Sequence, residues 1–134
     1  MWRKLVVCVG CIALLLATTG CQIKQPSFSI TAGNVGSAFA ASEATLLYAH
    51  EGKITYTYAA SSFVNFQSEL SGADQTLAAS QGAPGASTMR QLLSLYREAM
   101  PAVNTPCLSD SCNWRIQLSA LDRASKAFLK AGNS

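Results

Sequence analysis

Residues 110–132, DSCNWRIQLSALDRASKAFLKAG, decide the fold class. Trp114, Leu118, Leu121, Ser125 and Phe128 recur at spacings of 4, 3, 4 and 3. An α-helix gathers such positions on one face, whereas a strand scatters them over two. Asp110 is the expected N-cap, because its carboxylate can accept from the free amides of a first turn. Lys126 and Lys130 fall in the closing turns, where a cation meets the negative end of the helix dipole, and Gly132 suits the C-cap. A helix with one apolar face needs partners, and the upstream sequence supplies them.

Immediately before it, Thr88-Met89-Arg90-Gln91 reads as a capping box opening a helix with Met89, Leu92, Leu93, Tyr96 and Met100 on one face. Pro101 is expected to stop or kink that helix, and Pro106 keeps the next residues irregular. Ser71–Ser87 carries Gly72, Gly82, Pro84 and Gly85 and reads as a loop, with a helical turn or two within 74–80. Further upstream, Asn34 is the expected cap of a helix beginning near Val35. Val35, Phe39, Leu46 and Ile54 form one stripe, and Tyr56, Ala59, Phe63, Phe66 and Leu70 form another. The stripes do not align, since Ile54 and Tyr56 lie roughly 200° apart on a helix. Either one long helix is touched on two sides or the chain breaks near Gly52. Residues 53–58 also alternate as a short strand would, but no partner strand is in view, so helix is favoured. The expected fold is all-α: a small antiparallel bundle of about three main helices with a loop disulfide.

The first twenty residues follow another pattern. Arg3 and Lys4 precede an apolar run, Leu5–Ala17, of 13 residues. A bilayer-crossing helix needs about 20, so the run has the length of a signal-peptide core. Thr18, Thr19, Gly20 and Cys21 follow. This layout resembles the signal of bacterial membrane lipoproteins over residues 1–21, with Thr18 where that class usually has an aliphatic residue. The resemblance implies cleavage before Cys21, lipid (palmitate among it) on that cysteine, and anchoring in the cell envelope. Gln22 at the next position implies the outer membrane, with the domain facing the periplasm. Two other readings stay open: cleavage by the general signal peptidase, and retention as an uncleaved anchor. The expected division is a signal peptide over 1–20, a lipidated tether over 21–33 and a single helical domain over 34–134.

Cysteine numbers favour acylation. Cys8 and Cys11 leave with the signal, and three cysteines remain: Cys21, Cys107 and Cys112. Acylating Cys21 leaves an even pair. Four residues separate Cys107 from Cys112, and Asp110 and Ser111 can turn the chain, so an exported domain should close this pair as a disulfide. A redox dithiol calls for two intervening residues, and structural zinc for four ligands. Neither pattern is present, and no metal or cofactor is expected.

Charged residues make up only 13% of the chain, and loss of Arg3 and Lys4 lowers the net charge from +3 to +1. The cations are scattered singly, which argues against nucleic-acid binding. No nucleophile elbow, zinc-protease helix or phosphate loop occurs. His50, the one histidine, is followed by Glu51 and reads as a surface residue of a helix rather than a general base. Trp114 reads as a core anchor beside the disulfide. Two misaligned apolar stripes exceed what two partner helices cover, so Tyr48, Tyr58 and Phe66 form a candidate partner-docking face. The expected function is therefore non-enzymatic: a lipid-anchored envelope protein acting through contacts with another envelope protein, as scaffold or assembly component. A blocking module of the exclusion, immunity or inhibitor kind is the first alternative. A small hydrolase is the second, and it requires a serine, His50 and a carboxylate to converge.

Overall fold

The computed structural model describes residues 26–134. The signal, its cleavage site and Cys21 lie outside the described residues. Five helices follow one another: α1 (Phe28–His50), α2 (Tyr56–Leu70), the short α3 (Ala73–Ala79), α4 (Ala86–Asn104) and α5 (Trp114–Gly132). The described residues are all-α as expected, but they form four long helices rather than about three. Gly52 accounts for the difference. It takes φ +70, a conformation that glycine adopts without strain, and α1 ends two residues before it. Thr55 then caps α2, its hydroxyl accepting from the Tyr58 amide at 3.2 Å, so residues 53–58 form a turn and a helix start rather than a strand.

The long helices alternate in direction. Gly33 meets Gly132 at one end of the α1–α5 pair and His50 meets Trp114 at the other. Gln67 of α2 donates to the carbonyls of Val103 and Asn104, while the Tyr96 hydroxyl of α4 donates to the Leu70 carbonyl. Glu98 of α4 pairs with Arg123 of α5 at 3.2 Å. The result is an up-down-up-down bundle in the order α1, α2, α4, α5, with α3 inside the α2–α4 connection.

Five helix boundaries depart from the sequence reading. Asn34 does not cap α1: the helix starts at Phe28, capped by Ser27, so residues 28–33 of the expected tether are its first turns. The Phe28 amide donates to the Gln81 carbonyl at 2.8 Å, and Gln81 donates back to Pro26 at 3.4 Å. That pairing and the burial of Phe28 hold the early start in place. Thr88 does not cap α4, which begins at Ala86 with Gly85 before it. Pro101 lies inside α4. The helix continues to Asn104 because Ala102 and Val103 are buried, and packing there offsets the hydrogen bond that proline cannot make. Asp110 does not cap α5. The disulfide turn leaves its side chain fully exposed, and Asn113 accepts from the Ile116 amide instead; Asn133 rather than Gly132 is the C-cap.

Phe39, Phe63, Phe128, Leu46, Leu70, Leu77, Leu121 and Val103 are fully buried. Phe39 sits between two rings, Tyr96 at 5.9 Å and 68° and Phe128 at 6.0 Å and 39°. This core fixes α1 against α5 and α4. Among the described residues, one side of the α1–α2 pair has no covering helix beyond the border that α3 makes near Pro26.

Candidate interaction site

The uncovered side is a groove. Two adjoining cavities of ≈ 700 and ≈ 520 Å³ run along α1 and α2 and share Ala41, Phe66 and Glu69 in their walls. Pro26 and Ile30 stand at one end, Tyr48 and Tyr58 at the other. The three aromatics singled out from sequence as a docking face thus meet on one surface. Tyr48 is 43% exposed and Tyr58 62%, while Phe66 is half-buried with its ring edge-on to Phe63 at 5.6 Å. Phe66 faces two ways: it seals the core edge and floors the groove. Lys53 lies 5.2 Å from the Tyr48 ring centroid and pairs with Glu51 at 2.7 Å, so the tyrosine end is rimmed by one ion pair. Among the described residues, Glu69 is the only charged one in either wall.

A second cluster closes the opposite side of that end. Cys107 and Cys112 are joined, with Cα atoms 5.9 Å apart. Gln117 pins the loop from α5, accepting from the Cys107 amide at 2.7 Å and donating to the Thr105 carbonyl at 3.0 Å. His50 corrects the sequence reading. Its side chain is only 6% exposed, because its ring stacks on Trp114 with centroids 4.2 Å apart and planes at 9°. Its Nε2 lies 2.6 Å from the Cys107 carbonyl. A carbonyl only accepts, so Nε2 carries the proton and donates. Trp114 is half-buried and also has the Arg115 guanidinium 4.7 Å from its ring. It anchors the disulfide loop through a stack that local spacing does not reveal. Gln117 was invisible for the same reason: its partners lie ten and twelve residues away, in a loop.

Compared with protein families, curated proteins and solved structures, the chain matches none.

The hydrolase reading needs a hydroxyl on the imidazole. His50 spends Nε2 on a main-chain carbonyl, and Nδ1 is 3.6 Å from Asp110, beyond hydrogen-bond reach. The nearby Ser109 and Ser111 hydroxyls bond to each other at 2.7 Å. Among the described residues no three His, Cys, Asp or Glu side chains are grouped to hold a metal. No helix of the described residues is long and apolar enough to cross a membrane.

The disulfide cluster is structural in its consequences, and reduction should show this. Opening a loop this short removes about 2 kcal/mol in the chain-entropy model. Reduction also frees the carbonyl that holds His50. Denaturant midpoints with and without reductant should differ accordingly, and Trp114 fluorescence should change as its stacked imidazole loosens. Unchanged fluorescence on complete reduction would contradict the coupling.

One carboxylate opposes folding. Glu43 on α1 faces Asp122 and Lys126 on α5, and its pKa is raised, first by burial, then by Asp122, against a lowering by Lys126. A raised folded-state value makes its contribution fully present below the unfolded value of about 4.3 and lost as pH rises through the folded one. Glu43→Gln should therefore stabilise at pH 7, by a few tenths of a kcal/mol at most, roughly, because solvent screens the site. The gain should vanish near pH 4. Thermal melts at the two pH values check the sign.

Proposed function

We propose that the protein is a lipid-anchored envelope component without enzymatic activity, which works by holding another envelope protein in the α1–α2 groove. The meeting of Tyr48, Tyr58 and Phe66 on an uncovered surface carries the reading. Exposed tyrosines combine large contact area with low entropy cost, as interface anchors do. The polarity of α1 adds support. Its 23 residues rise about 34 Å. The chain leaves toward Cys21 at the Pro26 end, so acylated Cys21 in the outer-membrane leaflet would set the tyrosine end roughly one helix length into the periplasm. More than one acyl chain makes such an anchor stable.

Two measurements test this. Intact mass of the processed protein should show a chain beginning at Cys21 with acyl mass and two hydrogens missing from Cys107 and Cys112. Chemical crosslinking of whole envelopes should give an adduct that Tyr48→Ala with Tyr58→Ala abolishes without lowering the melting temperature. An unacylated mature protein removes the anchor, and an adduct indifferent to both tyrosines removes the docking face.

A further inference from the structure

We propose that His50 and the Cys107–Cys112 loop form an acid-closed clasp, which fastens the α4–α5 connection to the end of α1 by one contact when the imidazole is neutral and by two when it is charged. This goes beyond the docking reading and stands without it. His50 is the last residue of α1 and the one histidine of the chain. Both of its ring nitrogens face the same loop. Nε2 donates to the Cys107 carbonyl at 2.6 Å, and Nδ1 stands 3.6 Å from a carboxylate oxygen of Asp110. The disulfide joins residues 107 and 112, so it keeps that carbonyl and that carboxylate on one short turn.

The neutral ring leaves the arrangement half made. Nε2 holds its only proton, so Nδ1 presents a lone pair to a carboxylate, and two acceptors cannot bond. A second proton turns Nδ1 into a charged donor aimed at that carboxylate. Bonds of this kind run at about 2.7–2.9 Å, so closing the gap takes a movement of about 0.8 Å. The Asp110 side chain is fully exposed and free to make it. The ring is held by its stack on Trp114 and stays in place. Among the described residues, the other charges near the ring do not compete for its proton. Glu51, next in sequence, is paired with Lys53 at 2.7 Å. Arg115 of α5 lines the same hollow and lies 4.7 Å from the Trp114 ring centroid, but a guanidinium cannot accept. Glu43, two turns back on α1, faces Asp122 and Lys126. An imidazole takes its second proton between about pH 8 and 5, where solvated carboxylates stay charged. The doubly held form is the charged one, so the second contact is present on the acid side and is lost as pH rises through the titration.

NMR of the full chain tests this, because a single histidine gives unambiguous ring signals. At about pH 8 the proton should sit on Nε2 alone, and at about pH 5.5 both nitrogens should carry one. Over the same interval the opening of residues 107–112 should become about two- to fivefold rarer, the size of one partly screened ion pair. Amide exchange, corrected for its intrinsic pH dependence, reads that frequency. Asp110→Ala should abolish the slowing. Its melting temperature at about pH 8 should match the parent, since residue 110 is exposed and the neutral ring makes no bond to it. Glu51→Gln should leave the slowing in place. A ring protonated on Nδ1 at the higher pH, loop opening equally frequent at both, or a slowing that survives Asp110→Ala overturns the proposal.

Discussion

Phe39→Ala is expected to cost about 3–5 kcal/mol, which is the range for emptying a buried aromatic site. Phe39 is fully buried at the middle of α1, with Tyr96 and Phe128 against its ring. Its removal deletes the transfer energy of the side chain and two edge contacts worth about 0.5–1.5 kcal/mol each beyond area. The neighbours cannot collapse into the space easily. Tyr96 is held by its hydroxyl on the Leu70 carbonyl, and Phe128 lies on the helix already in closest contact with α1. A domain of this size has about 5–15 kcal/mol in total, so the variant stays marginal. Its melting temperature should fall by at least about 12 °C at roughly 4 °C per kcal/mol. Phe66→Ala is the contrast, because half-burial leaves less to lose, and about 1 kcal/mol is expected there. A Phe39→Ala loss no larger than that of Phe66→Ala would show that the core is not organised around α1.

Why the sequence reveals some of this and hides the rest is visible in particular residues. The periodic apolar rows identified α2, α4 and α5, since Phe63, Leu70, Leu92, Tyr96, Leu121 and Phe128 all lie buried where their spacing put them. Tyr56, counted in the same row as Phe63, is 69% exposed, because the first turn of α2 projects beyond the core. Gly52 marked the break that raises the helix count, and the misaligned stripes on either side signalled it. What failed were termini. Asn34, Thr88 and Asp110 all have the chemistry of a cap, but Ser27, Gly85 and Asn113 hold those positions. Pairing with Gln81 set the start of α1, and the disulfide turn set that of α5. That Tyr48, Tyr58 and Phe66 share one surface was legible because it depends on surplus apolar surface, a countable quantity. The His50–Trp114 stack was not, because it joins residues 64 positions apart through shape alone.

The second large effect is one of sign, and it arises within a single helical turn. Gly33 and Gly36 both lie in α1, and helix propensity alone predicts that alanine at either should stabilise by about 0.8–1.0 kcal/mol. At Gly33 a new Cβ meets nothing within 4 Å, so the propensity gain stands. At Gly36 it would sit 2.7 Å from the Leu129 backbone nitrogen and 2.8 Å from its Cγ. The side chain can rotate away but the backbone nitrogen cannot, so α5 must shift as a body. Overpacking typically costs about 1–3 kcal/mol, and a rigid obstacle places this site at or above the upper end. Subtracting the propensity gain leaves a net loss of about 2 kcal/mol. Gly33→Ala and Gly36→Ala should thus differ by about 3 kcal/mol in opposite directions from the parent, measured by denaturant titration at equal m-value. Adding Leu129→Ala to Gly36→Ala should recover little, because the nearest obstacle is main chain. Full recovery in that double variant would mean that α1 and α5 are spaced by a side chain, and that the glycine is not what lets the two backbones meet.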